Sequence, residues 1–312
     1  MKKISTLNMS RDEWLNARRA GIGGSDVAAI LGQNPYRSPM AVYLDKIGEV
    51  KQPEGDNEKA YWGTVLEDVV ARHYAKVNGV KVRKNNHILI DEERPFMIAN
   101  IDREVFSETE GHYGYEGKTT DAHNSAPWND DGVPIGYVYQ VQHYMAVTGL
   151  PFFDVACLIG GNNYVQRRVP RDEELIEFLV EKEAEFWLMV ETKTPPAWDG
   201  TQNAWDVLKM LYPSSEQGKV VELPSELAEA LYMYRKLDAQ KSELNGQAKE
   251  VEKQRDVYKQ QICAAMGDAE TGYLDGIEIS YKTTFRKGYT TKDTTFRTFR
   301  IKDMIEKGVA WS

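Results

Sequence analysis

Three side chains carry the most specific chemistry open to this sequence: Asp102, Glu116 and Lys118. The apolar run Phe96-Met-Ile-Ala-Asn-Ile delivers Asp102, and Glu116 and Lys118 stand two apart in Tyr115-Glu-Gly-Lys-Thr. Side chains alternate faces along a β-strand, so Glu116 and Lys118 point the same way, and a return strand beside the first brings Asp102 to both. Two carboxylates and an ammonium then converge. Mg²⁺ takes one or two protein carboxylates and completes its shell with waters and phosphate oxygens. The chemistry that fits is metal-assisted hydrolysis of a phosphodiester.

Such a cluster needs strands to carry it and helices to close it. Residues 80–106 read as a hairpin (Val80 to Lys84, His87 to Ile90), with Phe96 to Phe106 as the strand bearing Asp102. In that strand Asn100 points the same way as Asp102. Gly117 and the polar lead-in His112-Tyr-Gly-Tyr weaken the strand at Glu116. Upstream, Trp62 to Lys76 is an amphipathic helix with Val65, Leu66, Val69 and Val70 at helical spacing, and Glu67 lies beside its apolar stripe. Downstream, Ile135 to Val147 is a helix whose Tyr137, Gln140 and Tyr144 share one face. A glutamine on that face can hydrogen-bond a phosphate or orient a general base.

Near the N-terminus, Ser10 caps a short helix with Glu13 at the capping-box position. Arg18 to Gly32 reads as a glycine turn entering a helix at Ser25-Asp26. Exposed N–H groups there make a ready anion site, with a simple capped turn as the plainer alternative. Lys51 to Lys59 is a polar loop. Phe152 to Ile159 is a buried strand holding Cys157 as inert core, Tyr164 to Val169 is its hairpin mate, and a helix from Arg171 to Thr192 stops at Pro195-Pro196.

Together these segments resemble the PD-(D/E)XK nuclease core, and more narrowly the YqaJ-type viral recombinase branch of the phage lambda exonuclease family, over residues 10 to 195. The resemblance implies an α/β fold, a mixed central sheet flanked by helices. It implies Mg²⁺, with Mn²⁺ as a substitute, held by Asp102 and Glu116 with Glu67 as a further carboxylate. Lys118 orients or deprotonates the attacking water, and Gln140, first of the Gln-x-Gln pair, supports it. Arg18 and Ser25, seven residues apart, match the pair that grips a terminal 5′-phosphate, with Asn100 and Tyr137 as further DNA contacts. His143 is structural in this scheme, because the class uses lysine rather than histidine. The middle residue of Glu-x-Lys is usually apolar, so Gly117 departs from the family. The implied partners are duplex DNA ends, a phage annealing protein and further copies of the chain in a trimer.

The 312 residues exceed that core. The nuclease core occupies 1–196, a linker 197–222, and a long helix 223–267 with a heptad stripe from Leu227 through Leu237, Leu244 and Val251 to Ala265. A small basic β-containing segment occupies 268–312; between Lys282 and Lys302 its cations interleave with Phe285, Tyr289, Phe296 and Phe299, a composition that suits nucleic acid. The net charge of −9 runs against DNA binding by bulk attraction, so any DNA contact rests on local cations. Only Cys157 and Cys263 are present, which excludes a four-cysteine iron–sulfur cluster and a disulfide framework and points to a reducing cytoplasm, that of a bacterial host by resemblance. No apolar run approaches the ~20 residues of a membrane span, and no apolar h-region follows Met1-Lys-Lys-Ile-Ser. The function expected is digestion of the 5′-ended strand of linear duplex DNA to leave 3′ tails for recombination by strand annealing. An endonuclease on the same core and a non-catalytic end-binding scaffold are the alternatives.

Overall fold

The computed structural model describes residues 1–49, 58–128 and 132–285, in two compact units, Met1–Pro213 and Ser214–Ser312. The first unit runs β1 (Lys2–Ser5), α1 (Arg11–Arg19), β2 (Ile22–Gly23), α2 (Gly24–Ile30), α3 (Pro39–Lys46) and α4 (Glu58–Asn78). It continues through β3 (Lys81–Lys84), β4 (His87–Ile90), β5 (Met97–Ala99), β6 (Arg103–Ser107), β7 (Gly111–Thr120) and α5 (Ile135–Thr148). It closes with β8 (Phe152–Ile159), β9 (Asn163–Pro170), α6 (Glu173–Thr192) and α7 (Gln202–Leu211).

The fold is mixed α/β, with helices flanking two sheets. The larger sheet has the order β3-β6-β7-β8-β9 and the smaller β1-β4-β5-β2. β7 and β8 are parallel, and α5 is the crossover between them, as a parallel pair requires. β8 shows why this sheet is covered on both sides. Phe153, Val155 and Cys157 pack with Val141, Tyr144 and Met145 of α5, while Ala156 packs with Val70, Ala71 and Tyr74 of α4. β7 alternates in step: Tyr113 and Tyr115 join the α4 side. Glu116 and Lys118, opposite Val155 and Cys157, therefore face α5. Burial pushes the Cys157 thiol up to about 12, in keeping with inert core.

Two strand expectations are corrected. Phe96 to Phe106 is not one strand: β5 belongs to the smaller sheet, β6 to the larger, and residues 100–102 carry the chain between them. β3 and β4 are likewise not a hairpin, since β3 pairs with β6 and β4 with β1 and β5. Alternation along a strand identifies which face is buried but not which strand lies beside it. Within 197–222, expected as a linker with short structure, lies α7, capped by Thr201, with Ala204 and Val207 buried and Val207 packed in the cluster of α2 and α3; the first unit extends to Pro213.

In the second unit, α8 (Ala228–Met266) spans the heptad stripe, and none of its residues is buried. β10 (Thr271–Leu274) and β11 (Ile277–Ser280) form a hairpin through Asp275-Gly276, both at positive φ, as a two-residue turn of the I′ kind needs. Of the basic stretch from Lys282 to Lys302, positions 286 onward lie outside the described residues, as does most of the Lys51–Lys59 loop.

A buried ion pair ties these layers together. The Nδ1 of His143 in α5 lies 2.9 Å from both carboxylate oxygens of Glu183 in α6, and its Nε2 lies 2.8 Å from the carbonyl of Ile98 in β5. Acceptors stand at both ring nitrogens, so the imidazolium is the form that satisfies both contacts. Burial alone would lower the His143 pKa, but Glu183 and the Ile98 carbonyl outweigh it and hold it above 6.5. A pKa raised on folding contributes stability that is full below the unfolded value and is lost as pH rises through the folded one. The stability advantage of the parent over His143→Gln is therefore expected to be largest below pH 6.5 and to shrink above it, as read from urea midpoints across that range. An advantage independent of pH would remove the charged clamp.

Candidate active site

β6 and β7 are antiparallel with Arg103 opposite Tyr115, so one step outward Asp102 comes beside Glu116 and Gly117. The Asp102 Oδ2 accepts the Gly117 N–H at 2.9 Å. On the same side, the Lys118 Nζ donates to Glu116 Oε1 at 2.7 Å and to Gln140 Oε1 at 3.1 Å. The Gln140 amide then donates to Glu116 Oε1 at 2.7 Å and to the Tyr144 hydroxyl at 2.9 Å. The aromatic face of Tyr137 lies 4.7 Å from Lys118 Nζ, within cation–π range. Asp102, Glu116, Lys118 and Gln140 thus form one set, brought together from a strand pair and a crossover helix.

The charges in this set are mutually dependent. Desolvation first, and the neighbouring Glu116 second, push the Asp102 carboxyl up to about 8. Glu116, almost fully buried, is also raised by desolvation, against the pull of Lys118. Burial would lower the Lys118 ammonium, but Glu116 and Asp102 overcome that and hold it above its usual value. Glu116 Oε2 is buried with no hydrogen-bond partner. A buried, unpaired carboxylate oxygen is costly unless something positive completes it. Two carboxylates with such an orphaned oxygen fit a hard divalent cation of the Mg²⁺ type.

Glu67 stands apart from that pair. Its Oε1 accepts from the buried Arg103 guanidinium at 2.7 Å, and Arg103 also donates to the Asp102 carbonyl at 2.9 Å and to Asp68 at 3.3 Å. Among the described residues no group of three or more His, Cys, Asp or Glu side chains is arranged to hold a metal ion. Glu67 is near enough to raise the Asp102 carboxyl, but its hydrogen bond goes to Arg103. Sequence reasoning missed Arg103. The available signal was an arginine in step with Ile101 and Val105, because a cation at a core-facing position needs anions to meet it.

Gly117 has a packing explanation. A Cβ there would lie 3.1 Å from the Tyr115 hydroxyl, so the tyrosine two residues back fills the space above the glycine. The strand stays intact through it, with Gly117 in register with Ala156.

The N-terminal candidates assemble around α2. Arg18 donates to the Ser25 hydroxyl at 3.0 Å and lies over the Trp14 ring at 4.7 Å. A Cβ on Gly24 would come within 2.6 Å of the Tyr144 ring and 2.8 Å of the Gln140 carbonyl, so only glycine lets α2 approach α5 this closely. Behind this turn, Asp26 accepts the Gly23 N–H at 3.0 Å and pairs with Lys46 at 2.7 Å and with Arg37. Burial alone would raise its carboxyl, but Lys46 and Arg37 hold it well below the usual range. Asn100 sits differently: its Nδ2 donates to the His87 carbonyl at 3.4 Å and its buried Oδ1 has no partner. Gln142, second of the glutamine pair, bonds the Pro170 carbonyl and the Asp172 N–H, and so anchors α5 to the turn before α6.

The molecule so defined is a mixed α/β chain with two carboxylates and a lysine on a strand pair and a glutamine that bonds Glu116 and Lys118 from the crossover helix. Residues 13–151 match the YqaJ-like viral recombinase domain. YqaJ of Bacillus subtilis (strain 168) is 38% identical over 314 residues, covering 95% of each chain. The chain belongs to the YqaJ-like viral recombinase family. Protein D345L of African swine fever virus (strain Badajoz 1971 Vero-adapted) is similar over 58 residues at 38% identity, 19% of this chain and 16% of its own. Among solved structures, the alkaline exonuclease LHK-Exo of Laribacter hongkongensis superposes with a TM-score of 0.46 at 18% identity, over 64% of this chain and 100% of its own. No described helix is long and apolar enough to cross a membrane.

Arg103 is predicted to secure the wall of this site. Arg103→Ala leaves the Asp102 carbonyl and Glu67 without their donor, at a cost of about 1–3 kcal/mol. Urea denaturation of the two proteins measures it; a loss below about 0.5 kcal/mol would show that Arg103 holds nothing.

Proposed function

We propose that this chain is a Mg²⁺-dependent deoxyribonuclease that digests the 5′-ended strand of linear duplex DNA and leaves a 3′ single strand for a recombination partner that anneals strands. One observation carries the reading: Asp102, Glu116, Lys118 and Gln140 converge in one hydrogen-bonded set, with an unpaired Glu116 oxygen in it. Membership of a viral recombinase family supports DNA as the substrate and strand exchange as the setting.

Asp102 and Glu116 would hold the cation, which when bound supplies Lewis-acid stabilisation of charge on the phosphoryl oxygens. Lys118, kept protonated by the two carboxylates, is a donor aimed into the site, suited to orienting the attacking water or bonding a phosphate oxygen. Gln140 fixes the position of that ammonium while Tyr144 fixes Gln140. The Arg18–Ser25 pair, packed against the helix bearing Gln140, would hold the terminal 5′-phosphate and set the polarity. Tyr137 covers Lys118 and limits its exposure to water.

The test is nucleotide release from linear duplex DNA, with and without a 5′-phosphate, in Mg²⁺ and in chelator, beside a covalently closed circle. Mg²⁺-dependent release from the phosphorylated linear DNA is the expected result. Cutting of the circle would make the protein an endonuclease, and binding without any cleavage would make it a scaffold. Lys118→Ala is expected to lower release by at least about 10²-fold while DNA binding in chelator persists; retention of the full rate would refute the assignment. Arg18→Ala is expected to erase the preference for phosphorylated ends, and an unchanged preference would take Arg18 out of the pocket.

A further inference from the structure

α8 runs for 39 residues, about 58 Å of helix, and none of its side chains is buried among the described residues. It lies beyond the segment that matches the recombinase domain. Its apolar residues are ordered along one line. From Leu227 to Ala265 the stripe steps alternately by three and by four, which gives the a and d positions of a heptad. Leu237, Leu244 and Val251, near its middle, are 56%, 64% and 64% exposed. A folded chain seldom leaves so continuous an apolar seam to water.

The period of the seam selects the kind of surface that covers it. A helix lying on a globular face follows the 3.6-residue period of a straight helix. A 3.5-residue period drifts by about 20° per heptad, so over the length of this seam the stripe would turn roughly 100° away from such a face. A second helix that supercoils with the first stays in contact throughout.

The charges in the seam then select the direction. Lys241 and Arg255 both occupy a positions. In a parallel pair each a residue meets its own copy, so Lys241 would face the partner's Lys241 and Arg255 the partner's Arg255. One antiparallel register, centred on Gly246, instead sets every a of the seam opposite a d of the second copy. Lys241 then meets the partner's Val251, Arg255 the partner's Leu237 and Ala248 the partner's Leu244, so no two charges share a layer. The stems of Lys241 and Arg255 can lie along those apolar neighbours with their heads at the rim. Arg255 already has an anion beside it, Asp256 at 2.9 Å. On one flank Gln240 meets the partner's Gln254 and Gln247 its own copy, amide to amide and without charge. On the other, Asp238 meets the partner's Glu252, a repulsion at the wet rim that salt screens.

We propose that α8 is a self-association element, through which two copies of this chain pair as an antiparallel coiled coil centred on Gly246. The pairing does not depend on the nuclease reading, because α8 carries none of the residues of the carboxylate–lysine set.

Sedimentation equilibrium of the full chain over a range of concentrations tests the association. The parent is expected to self-associate reversibly, and Leu237→Glu combined with Leu244→Glu to weaken that association by at least about 10²-fold, since each change removes a leucine from the seam in both copies. Both leucines are exposed and lie outside the first unit, so its fold should persist in the variant. Asp238→Lys is expected to tighten the pair by about 3- to 10-fold, because it turns the one repulsive flank attractive. A parent that stays a single chain, or association that the leucine changes leave as it was, overturns the proposal. Direction is read by disulfide trapping in a Cys263→Ser background, which needs no destabilised variant. Chains with Leu244→Cys and chains with Ala248→Cys, one set carrying a size tag, are expected to cross-link to each other on mixing and far less to themselves. Self-linking of Ala248→Cys chains alone marks a parallel pair, and that result, or no cross-link in the mixture, overturns the register.

Discussion

Two carboxylates forced together in a poorly hydrated pocket are the constraint on which this structure turns. Desolvation raises the cost of ionising both Asp102 and Glu116, and the Glu116 charge raises it further for Asp102. Left alone, such a pair would take up protons or push apart. The surrounding groups prevent separation: the Gly117 N–H holds Asp102, and Lys118 and Gln140 both converge on one oxygen of Glu116. What remains is a site with more negative charge than its own donors can satisfy. If the proposed cation binds, Asp102 and Glu116 would hold it, and relief of this imbalance would contribute to its affinity.

Holding that tension requires stiff surroundings. The chain passes between sheets at residues 100–102, so Asp102 is gripped from both sides of a junction rather than from the middle of one strand. On one side β5 is tied to α5 and α6 through His143 and Glu183. On the other, Arg103 joins the Asp102 carbonyl to Glu67 in the middle of α4. α5 is common to most of this: it carries Gln140, Tyr144 and His143, and it lies in close contact with Gly24, next to Ser25. Displacing α5 would therefore disturb the Arg18–Ser25 pair and the Glu116–Lys118–Gln140 set together.

Much of the site was legible because its determinants are local. Glu116 and Lys118 share a face by strand alternation alone, Gln140 and Tyr144 by helical periodicity, and the Ser10–Glu13 box by its spacing. What was not legible depends on pairing across long distances. Nothing in β3 and β4 states that they join different sheets, and the pattern of Phe96 to Phe106 does not reveal the break that positions Asp102. Gly117 misled for a related reason: local propensity counts the missing side chain as a loss, whereas the Tyr115 ring fills the same volume. Arg103 shows the converse. Its inward position was visible in the alternation, but its partners on α4 were not.

The charge balance also acquires a structural meaning. With 48 acidic and 39 basic residues, the chain repels DNA at long range, but screening confines that repulsion to about 8–10 Å at moderate salt. Contact then depends on which cations remain for phosphate. Arg37 is committed to Asp26 and Asp45, Arg168 to Asp154 and Glu110, Arg171 to Glu173, and Arg103 to Glu67. Arg18 is placed otherwise: its hydrogen bond goes to the Ser25 hydroxyl and its flat face to the Trp14 ring. Lys118 lies on a parallel course, shared between a carboxylate and a neutral amide. If Arg18 and Ser25 hold a DNA terminus as proposed, a doubly charged terminal phosphate would gain more from a single arginine than an internal diester would.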